Sequence, residues 1–139
     1  MSIKPISEIV EAAKRGTENL SVEQLQEEMR KNDDLLVIDL REIQERVDLG
    51  AIPGSLNAPR GMLEFWADPE SPYYREYFRE DRRTVVFCAG GHRSVLAAAA
   101  LTEMGFQNVA QLAPGFAGWA EAGAPVEDVS AKSRWVRRK

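Results

Sequence analysis

The hydrophobic pattern of the chain alternates between short continuous apolar runs and stretches with helical spacing. Mainly apolar runs cover residues 35–40, 84–87 and 109–112, and a further short strand is predicted at residues 55–57, after the turn residues Ile-Pro-Gly-Ser at 52–55. Runs of this kind are typical of strands that are buried on both faces of a parallel sheet. Since helical segments separate them, the pattern predicts an α/β protein in which helices cover both faces of a mainly parallel sheet.

Helical spacing is clearest near the N-terminus. Residues 5–15 carry apolar side chains three and four positions apart, and Gly16 then supplies a stop. Ser21 is followed three residues later by Gln24, which is the spacing of a capping box. The pattern therefore predicts an N-terminal helix and a second helix that ends near Asn32.

Further helical segments are predicted at residues 41–50, 61–81, 94–104 and 115–122. The segment at 61–81 is rich in aromatic residues and contains Pro69 and Pro72, so we expect two short helices there. Trp119 is expected in the core.

Composition and charge narrow the class of protein. The chain has 139 residues, of which 44% are hydrophobic and 29% charged, as expected for a single globular domain. Its net charge of −4 is uneven, because five basic residues lie in the last eight positions and the remainder has 22 acidic against 13 basic residues. An acidic body repels polyphosphate, so we expect no nucleic-acid partner. The basic tail is expected to be a solvated terminus.

Targeting and redox signals narrow the class further. No apolar run approaches the roughly 20 residues that cross a bilayer, and the N-terminus lacks the zones of a signal peptide. We therefore expect no membrane partner and a cytoplasmic location. Cys88 is the only cysteine, which excludes an internal disulfide and a cysteine-rich zinc site. We expect neither a metal nor a cofactor.

Cys88 stands where a predicted strand gives way to a predicted helix. A thiol reacts as its thiolate, and helix N-termini and cationic neighbours stabilise that anion. Gly90 and Gly91 allow the backbone to curl so that successive N–H groups point inward, which forms a nest for an anion. The alternative is a small buried hydrophobe at a strand end. The glycine pair followed by His92 and Arg93 favours the reactive site.

Four stretches resemble the rhodanese sulfurtransferases. They are Val-Ile-Asp-Leu-Arg-Glu at 37–42, Ile-Pro-Gly-Ser-Leu-Asn-Ala-Pro at 52–59, Cys-Ala-Gly-Gly-His-Arg-Ser at 88–94, and Leu-Ala-Pro-Gly-Phe-Ala-Gly-Trp at 112–119 with Gly-Ala-Pro-Val at 123–126. The chain departs from the family at Ala51, where histidine is frequent, and at Pro114, where glycine is common. The resemblance implies a three-layer α/β/α fold around a mainly parallel central sheet of about five strands.

The same resemblance implies a set of site residues and a reaction. Cys88 would take a sulfane sulfur from thiosulfate or from a persulfide donor, either a small molecule or a protein, and pass it to cyanide or an external thiol. Asp39 and Arg41 would support the site from a neighbouring strand. The persulfide would be held by the backbone of the active loop, which consists of Ala89, Gly90, Gly91, His92, Arg93 and Ser94.

Two other functions remain open on this fold. One is a sulfur carrier or interaction module that turns over thiosulfate poorly. The other is phosphatase or arsenate reductase chemistry. The loop from Cys88 to Arg93 has six residues, the length that the sulfurtransferases use, whereas the related phosphatases and arsenate reductases have one residue more. Loop length therefore favours sulfur over phosphoryl transfer.

Roles of individual side chains follow from position and residue type. We expect His92 to be an exposed polar residue that adds to the loop potential and does not act as a base. Arg93 either contacts an anionic donor or is solvated. Ser94 is expected to cap the helix, although its hydroxyl can also reach the sulfur. Aromatic side chains between the second strand and the loop are expected to pack in the core or to cover the site; these are Phe65, Trp66, Tyr73, Tyr74 and Phe78.

The sequence divides into three predicted parts. Residues 1–19 form an N-terminal helical extension, 20–127 the rhodanese-like domain, and 128–139 a basic tail. The N-terminal helix exceeds what the domain needs, so we expect it either to pack on the sheet edge or to mediate a homodimer.

Overall fold

The computed structural model describes residues 2–130 and contains one parallel sheet. In chain order the strands are β1 (Glu18–Leu20), β2 (Leu36–Asp39), β3 (Leu56–Asn57), β4 (Thr84–Phe87) and β5 (Val109–Leu112). Their order across the sheet is β1-β5-β4-β2-β3, and every pairing is parallel. The predicted α/β fold with about five strands is confirmed. Most of the basic tail lies outside the described residues.

The helices follow the predicted order. They are α1 (Ile6–Arg15), α2 (Val22–Lys31), α3 (Ile43–Leu49), α4 (Leu63–Ala67), α5 (His92–Met104) and α6 (Gly115–Glu121). The capping box of α2 is present: the Gln24 amide donates to Ser21 Oγ at 3.1 Å, and the Ser21 amide donates to Gln24 Oε1 at 2.8 Å. In the described part of the chain, no helix combines the length and apolar character that a bilayer span needs.

Strand β1 was not among the predicted strands. It has three residues, two of them polar, so it lacks the apolar run that marked β2, β4 and β5. Leu20 is its buried residue, 4% exposed, and pairs in register with Leu112 of β5. The sheet therefore begins at Glu18, inside the segment expected to be a helical extension.

The aromatic segment differs from the expected pair of short helices. A 3-10 helix at Arg60–Met62 runs directly into α4, and residues 68–82 form turns. Pro69 and Pro72 explain the difference, because proline lacks the amide hydrogen that a helix interior requires. Phe78 is buried, but Phe65 and Tyr73 are 55% and 58% exposed, so of the two expected roles core packing does not hold for these two, and a role in covering the site stays a prediction.

Side chains of the central strands alternate between two cores. Along β4, Val86 lies on the face covered by α4 and α5, and Val85 and Phe87 lie on the face covered by α2 and α6. Trp119 is 1% exposed in the second core, as predicted. The alternation continues past the strand and directs the Cys88 side chain toward α5.

Candidate active site

Cys88 lies directly after β4, at the carboxyl edge of the sheet, and α5 begins four residues later. Gly91 is the N-cap of α5 and has a φ of +98°. A Cβ at this position would lie 2.4 Å from the Ala113 carbonyl oxygen. Left-handed backbone and a close backbone neighbour together require glycine here.

The active loop is fastened by the N-terminus of α6. The Phe116 amide donates to the Cys88 carbonyl at 2.8 Å, and the Ala117 amide donates to the Ala89 carbonyl at 3.0 Å. In a planar trans peptide the N–H points opposite to the carbonyl. With both carbonyls turned toward α6, the next amides along the loop point away from α6. The Gly90 amide is one of them, and it interacts with the sulfur.

The sulfur is buried but faces polar groups. Cys88 is 1% exposed, its Sγ accepts a hydrogen bond from the Gly91 amide at 3.1 Å, and Ser94 Oγ lies 3.4 Å away. Burial, the largest single cause, raises the pKa of the thiol. Hydrogen bonds that the Ser94 hydroxyl and the amides of Ser94, Gly91 and Gly90 donate to the ionised sulfur together outweigh it. The pKa of Cys88 therefore lies below its usual value, which favours the thiolate.

The expectation that Ser94 caps α5 was wrong. Because the left-handed Gly91 starts the helix early, Ser94 is the third residue of α5 and no side chain caps this end. Its buried hydroxyl instead lies between Cys88 Sγ and Gln111 Oε1, the latter at 2.6 Å. The alternative contact with the sulfur is the one the structure contains.

Arg93 is paired with an acidic side chain. Its guanidinium donates to both carboxylate oxygens of Glu45 in α3, at 2.9 and 3.0 Å. This pairing is the main cause that lowers the pKa of Glu45 and raises the pKa of Arg93, to which Cys88 adds a smaller contribution. Neighbouring His92 is exposed. Arg93 thus lies beside the sulfur, with its charge matched by Glu45.

Asp39 and Arg41 form a buried ion pair at the end of β2. Both are 0% exposed, and Arg41 donates to Asp39 at 2.9 and 2.8 Å and to the Gly50 carbonyl at 2.8 Å. The Arg41 guanidinium also lies over the Phe116 ring, 4.2 Å from its centroid. Since the Phe116 amide holds the Cys88 carbonyl, this pair packs behind the loop and does not contact the sulfur.

The sequence reasoning missed three polar residues around the site. Arg46 donates to Asp39 at 3.1 Å, Glu45 pairs with Arg93, and Gln111 contacts Ser94. A signal existed for Gln111, since a polar residue inside an apolar strand needs a buried partner. Within residues 2–130, no cluster of histidine, cysteine or acidic side chains is suited to holding a metal.

A cysteine in a glycine-containing loop, between a parallel strand and a helix N-terminus, defines a class of thiol-dependent α/β domains. The family model of the rhodanese-like domain matches residues 21–122. The chain therefore belongs to the rhodanese-like sulfurtransferase family, as the resemblance indicated. It is 30% identical over 104 residues to a sulfurtransferase of Allochromatium vinosum, with 75% of this chain and 89% of the relative covered.

Two further proteins that are similar to this chain have different functional descriptions. A proposed sulfur carrier protein of Bacillus subtilis is 28% identical over 100 residues, which cover 72% of this chain and 49% of that relative. A solved structure from Rhodopseudomonas palustris is 39% identical, with a TM-score of 0.86 and coverage of 91% of this chain and 98% of that one. That protein is of unknown function and is described as a possible tyrosine phosphatase.

Proposed function

We propose that the protein is a sulfurtransferase that carries a sulfane sulfur as a persulfide on Cys88. The observation that carries the proposal is the setting of the sulfur, which accepts a hydrogen bond from the Gly91 amide at 3.1 Å and has a lowered pKa. A thiolate prepared in this way attacks a sulfur donor without a separate base. Membership of the rhodanese-like family supports the same chemistry.

The proposed reaction has two half-reactions. With thiosulfate as donor, the Cys88 thiolate attacks the outer sulfur, a new S–S bond forms, and sulfite leaves with the electron pair of the broken bond. Cyanide or a thiolate then attacks the outer sulfur of the persulfide, and Cys88 leaves as the thiolate. No metal, cofactor or external oxidant enters either half-reaction.

The loop backbone has a specific role in this scheme. A persulfide places its negative charge on the outer sulfur, one bond beyond Cys88 Sγ. Amide hydrogens of the loop, from Ala89 to Ser94, stabilise that charge, and the N-terminus of the 13-residue helix α5 adds its positive end. Asp39 and Arg41 keep the loop in position through Phe116.

Donor, acceptor and location follow from the same chemistry. A reducing compartment keeps the single cysteine as a free thiol that is ready to accept sulfur, so we propose a cytoplasmic protein. The donor is thiosulfate or a persulfide on a small molecule or protein, and the acceptor is cyanide or an external thiol. The acidic composition of the chain disfavours nucleic acid as a partner.

Intact-mass spectrometry tests the proposal directly. After incubation with thiosulfate, the protein is expected to gain the mass of one sulfur atom, lose it on addition of cyanide, and release thiocyanate with ping-pong kinetics. Cys88→Ser is the matched control, because it keeps the size of the side chain and removes the nucleophile. A Cys88→Ser protein with full sulfur transfer would overturn the proposal.

The competing functions give different results in the same assays. A sulfur carrier, the function proposed for the Bacillus subtilis relative, is the first competitor. A carrier on this fold would load its sulfur only from a protein donor and release little thiocyanate from thiosulfate. A phosphatase would hydrolyse p-nitrophenyl phosphate through Cys88. The six-residue loop opposes the phosphatase, since the related phosphatases have one residue more.

A further inference from the structure

The Ser94 hydroxyl lies between two acceptors and has one hydrogen to give. Gln111 Oε1 is 2.6 Å from Ser94 Oγ, and the Cys88 sulfur is 3.4 Å from it. The shorter contact takes the hydrogen, so the neutral Cys88 thiol donates to Ser94 and Ser94 donates to Gln111. A thiolate has no hydrogen to donate and requires the Ser94 hydrogen for itself.

The orientation of Gln111 is set by a residue far from it in sequence. Asn19, in β1, donates through Nδ2 to the carbonyls of Lys14 at 3.1 Å and Thr17 at 2.9 Å. Its Oδ1 therefore faces Gln111, whose Nε2 donates to it at 2.7 Å. Reversing the Gln111 amide would bring two oxygens together, so Gln111 Oε1 is held toward Ser94.

We propose that Gln111, held in place by Asn19, is a positioning residue that competes with Cys88 for the Ser94 hydrogen and so limits how readily Cys88 ionises. When the thiolate forms, Ser94 turns its hydrogen to the sulfur and Gln111 Oε1 loses its donor inside the protein. The inference rests on Cys88 being the nucleophile of the proposed function. The end of α1 takes part as well, because its Lys14 carbonyl accepts a hydrogen bond from Asn19 and fixes the orientation of that side chain.

Charged groups near the sulfur do not take part in this competition. Arg93 of α5 interacts with Cys88 and is matched by Glu45 of α3. Asp39 at the end of β2 pairs with both Arg41 and Arg46 behind the loop. Substitutions of Asn19 and Gln111 by neutral residues leave all five charges unchanged, so a shift in Cys88 ionisation would report on the hydrogen-bond chain.

The test measures ionisation of the only cysteine by the ultraviolet absorbance of its thiolate as a function of pH. Asn19 is exposed, so Asn19→Ala is expected to fold; it frees Gln111 to turn its Nε2 toward Ser94. Gln111→Met removes the competing acceptor. Each variant is expected to lower the midpoint by roughly 0.5–1 pH unit, the size of one hydrogen bond.

Two controls separate this effect from a general disturbance. Asn108→Ala removes another exposed asparagine, which bonds to Arg83 at the opposite end of the sheet, and is expected to leave the midpoint unchanged. In a Ser94→Ala background, Asn19→Ala is also expected to shift nothing, because no hydroxyl remains to turn. A midpoint unmoved by Asn19→Ala, or a shift that persists without Ser94, would overturn the inference.

Failure of the proposed function and failure of this inference would show in different measurements. The absorbance measurement involves no sulfur donor, so it reports on the hydrogen-bond chain whether or not the protein transfers sulfur. If the inference is wrong, persulfide loading of Cys88 is still detected in the mass measurement.

Discussion

At the scale of single residues, each arginine behind or beside the loop is paired with an acidic side chain. Arg93 takes both oxygens of Glu45, whereas Arg41 and Arg46 share the single buried carboxylate of Asp39, behind the loop and away from the sulfur. Stabilisation of the sulfur anion therefore comes chiefly from backbone amides and one hydroxyl. A doubly charged donor such as thiosulfate meets an Arg93 whose charge is already balanced.

Glu45→Gln is expected to favour thiosulfate. Removing the carboxylate leaves Arg93 with an unbalanced charge, and glutamine at this third position of α3 can still accept the capping hydrogen bond from the Glu42 amide. The KM for thiosulfate is expected to fall about two- to fivefold, the worth of one partly exposed ion pair, with little change in kcat. Steady-state kinetics of thiocyanate release measures both constants.

Glu18→Gln is the matched control for this prediction. Glu18 pairs with Arg83 through both oxygens, at 2.8 and 3.0 Å, at the amino end of the sheet and away from Cys88. Its loss is expected to leave the KM unchanged. An equal fall in KM for both variants would show that overall charge, and not the pairing at Arg93, governs donor binding.

At the scale of elements, the loop depends on the turn between β5 and α6. Two α6 amides hold the Cys88 and Ala89 carbonyls, and Gly115, with a φ of +67°, packs against the same stretch of backbone. A Cβ on Gly115 would lie 2.4 Å from the Ala89 carbonyl oxygen and 2.8 Å from the Gly90 nitrogen. The shape of the active loop is therefore set in part by an element that follows it by a whole helix and strand.

Gly115→Ala is expected to displace the loop. Alanine at a left-handed position costs about 1–2 kcal/mol, and the contact with loop backbone adds about 1–3 kcal/mol. Gly123→Ala is the control, because its φ of +78° has the same sign and no atom lies within 4 Å of its Cβ. Urea unfolding is expected to show the larger loss for Gly115→Ala.

The same pair of variants separates loop geometry from stability. Gly115→Ala is also expected to raise the midpoint of Cys88 ionisation, because displaced amides no longer stabilise the thiolate. Gly123→Ala is expected to leave that midpoint in place. Equal effects of the two variants on both measurements would contradict a role of Gly115 in shaping the loop.

Elements with strong local signals could be predicted from the sequence, and those that depend on distant partners could not. β4, β5 and the capping box of α2 are marked by apolar runs or fixed spacings. β1 has no such run and exists because β5 offers it an edge. The placement of Cys88 at a strand end was predictable, but the partner of Gln111 lies 92 positions away in sequence.

At the scale of the whole molecule, the sheet order decides what belongs to the domain. The strand β1 occupies one edge and contributes the buried Leu20, whereas α1 before it buries none of its residues. The family model begins at residue 21 and so leaves out both. The domain boundary near residue 20 remains a prediction. Because β1 pairs with β5, we expect the boundary to lie before Glu18.

Truncation tests where the folding unit begins. A chain that starts at residue 17 is expected to lose little stability, because α1 packs on α5 through side chains that are at most partly buried. A chain that starts at residue 21 loses β1 and Leu20, and is expected to be less stable by at least about 2 kcal/mol, the lower end for deleting a buried leucine side chain. Equal losses in thermal or urea unfolding would show that α1 is part of the unit.

Because α6 follows the active loop in sequence, the hydrogen bonds that hold the loop form late in synthesis. Cys88 leaves the ribosome well before Phe116 and Ala117, whose amides hold its loop. A nascent chain that has just exposed Cys88 therefore contains an ordinary, weakly ionised thiol. The loop geometry that stabilises its thiolate is expected to form only after the C-terminal part has been made and has folded onto β4.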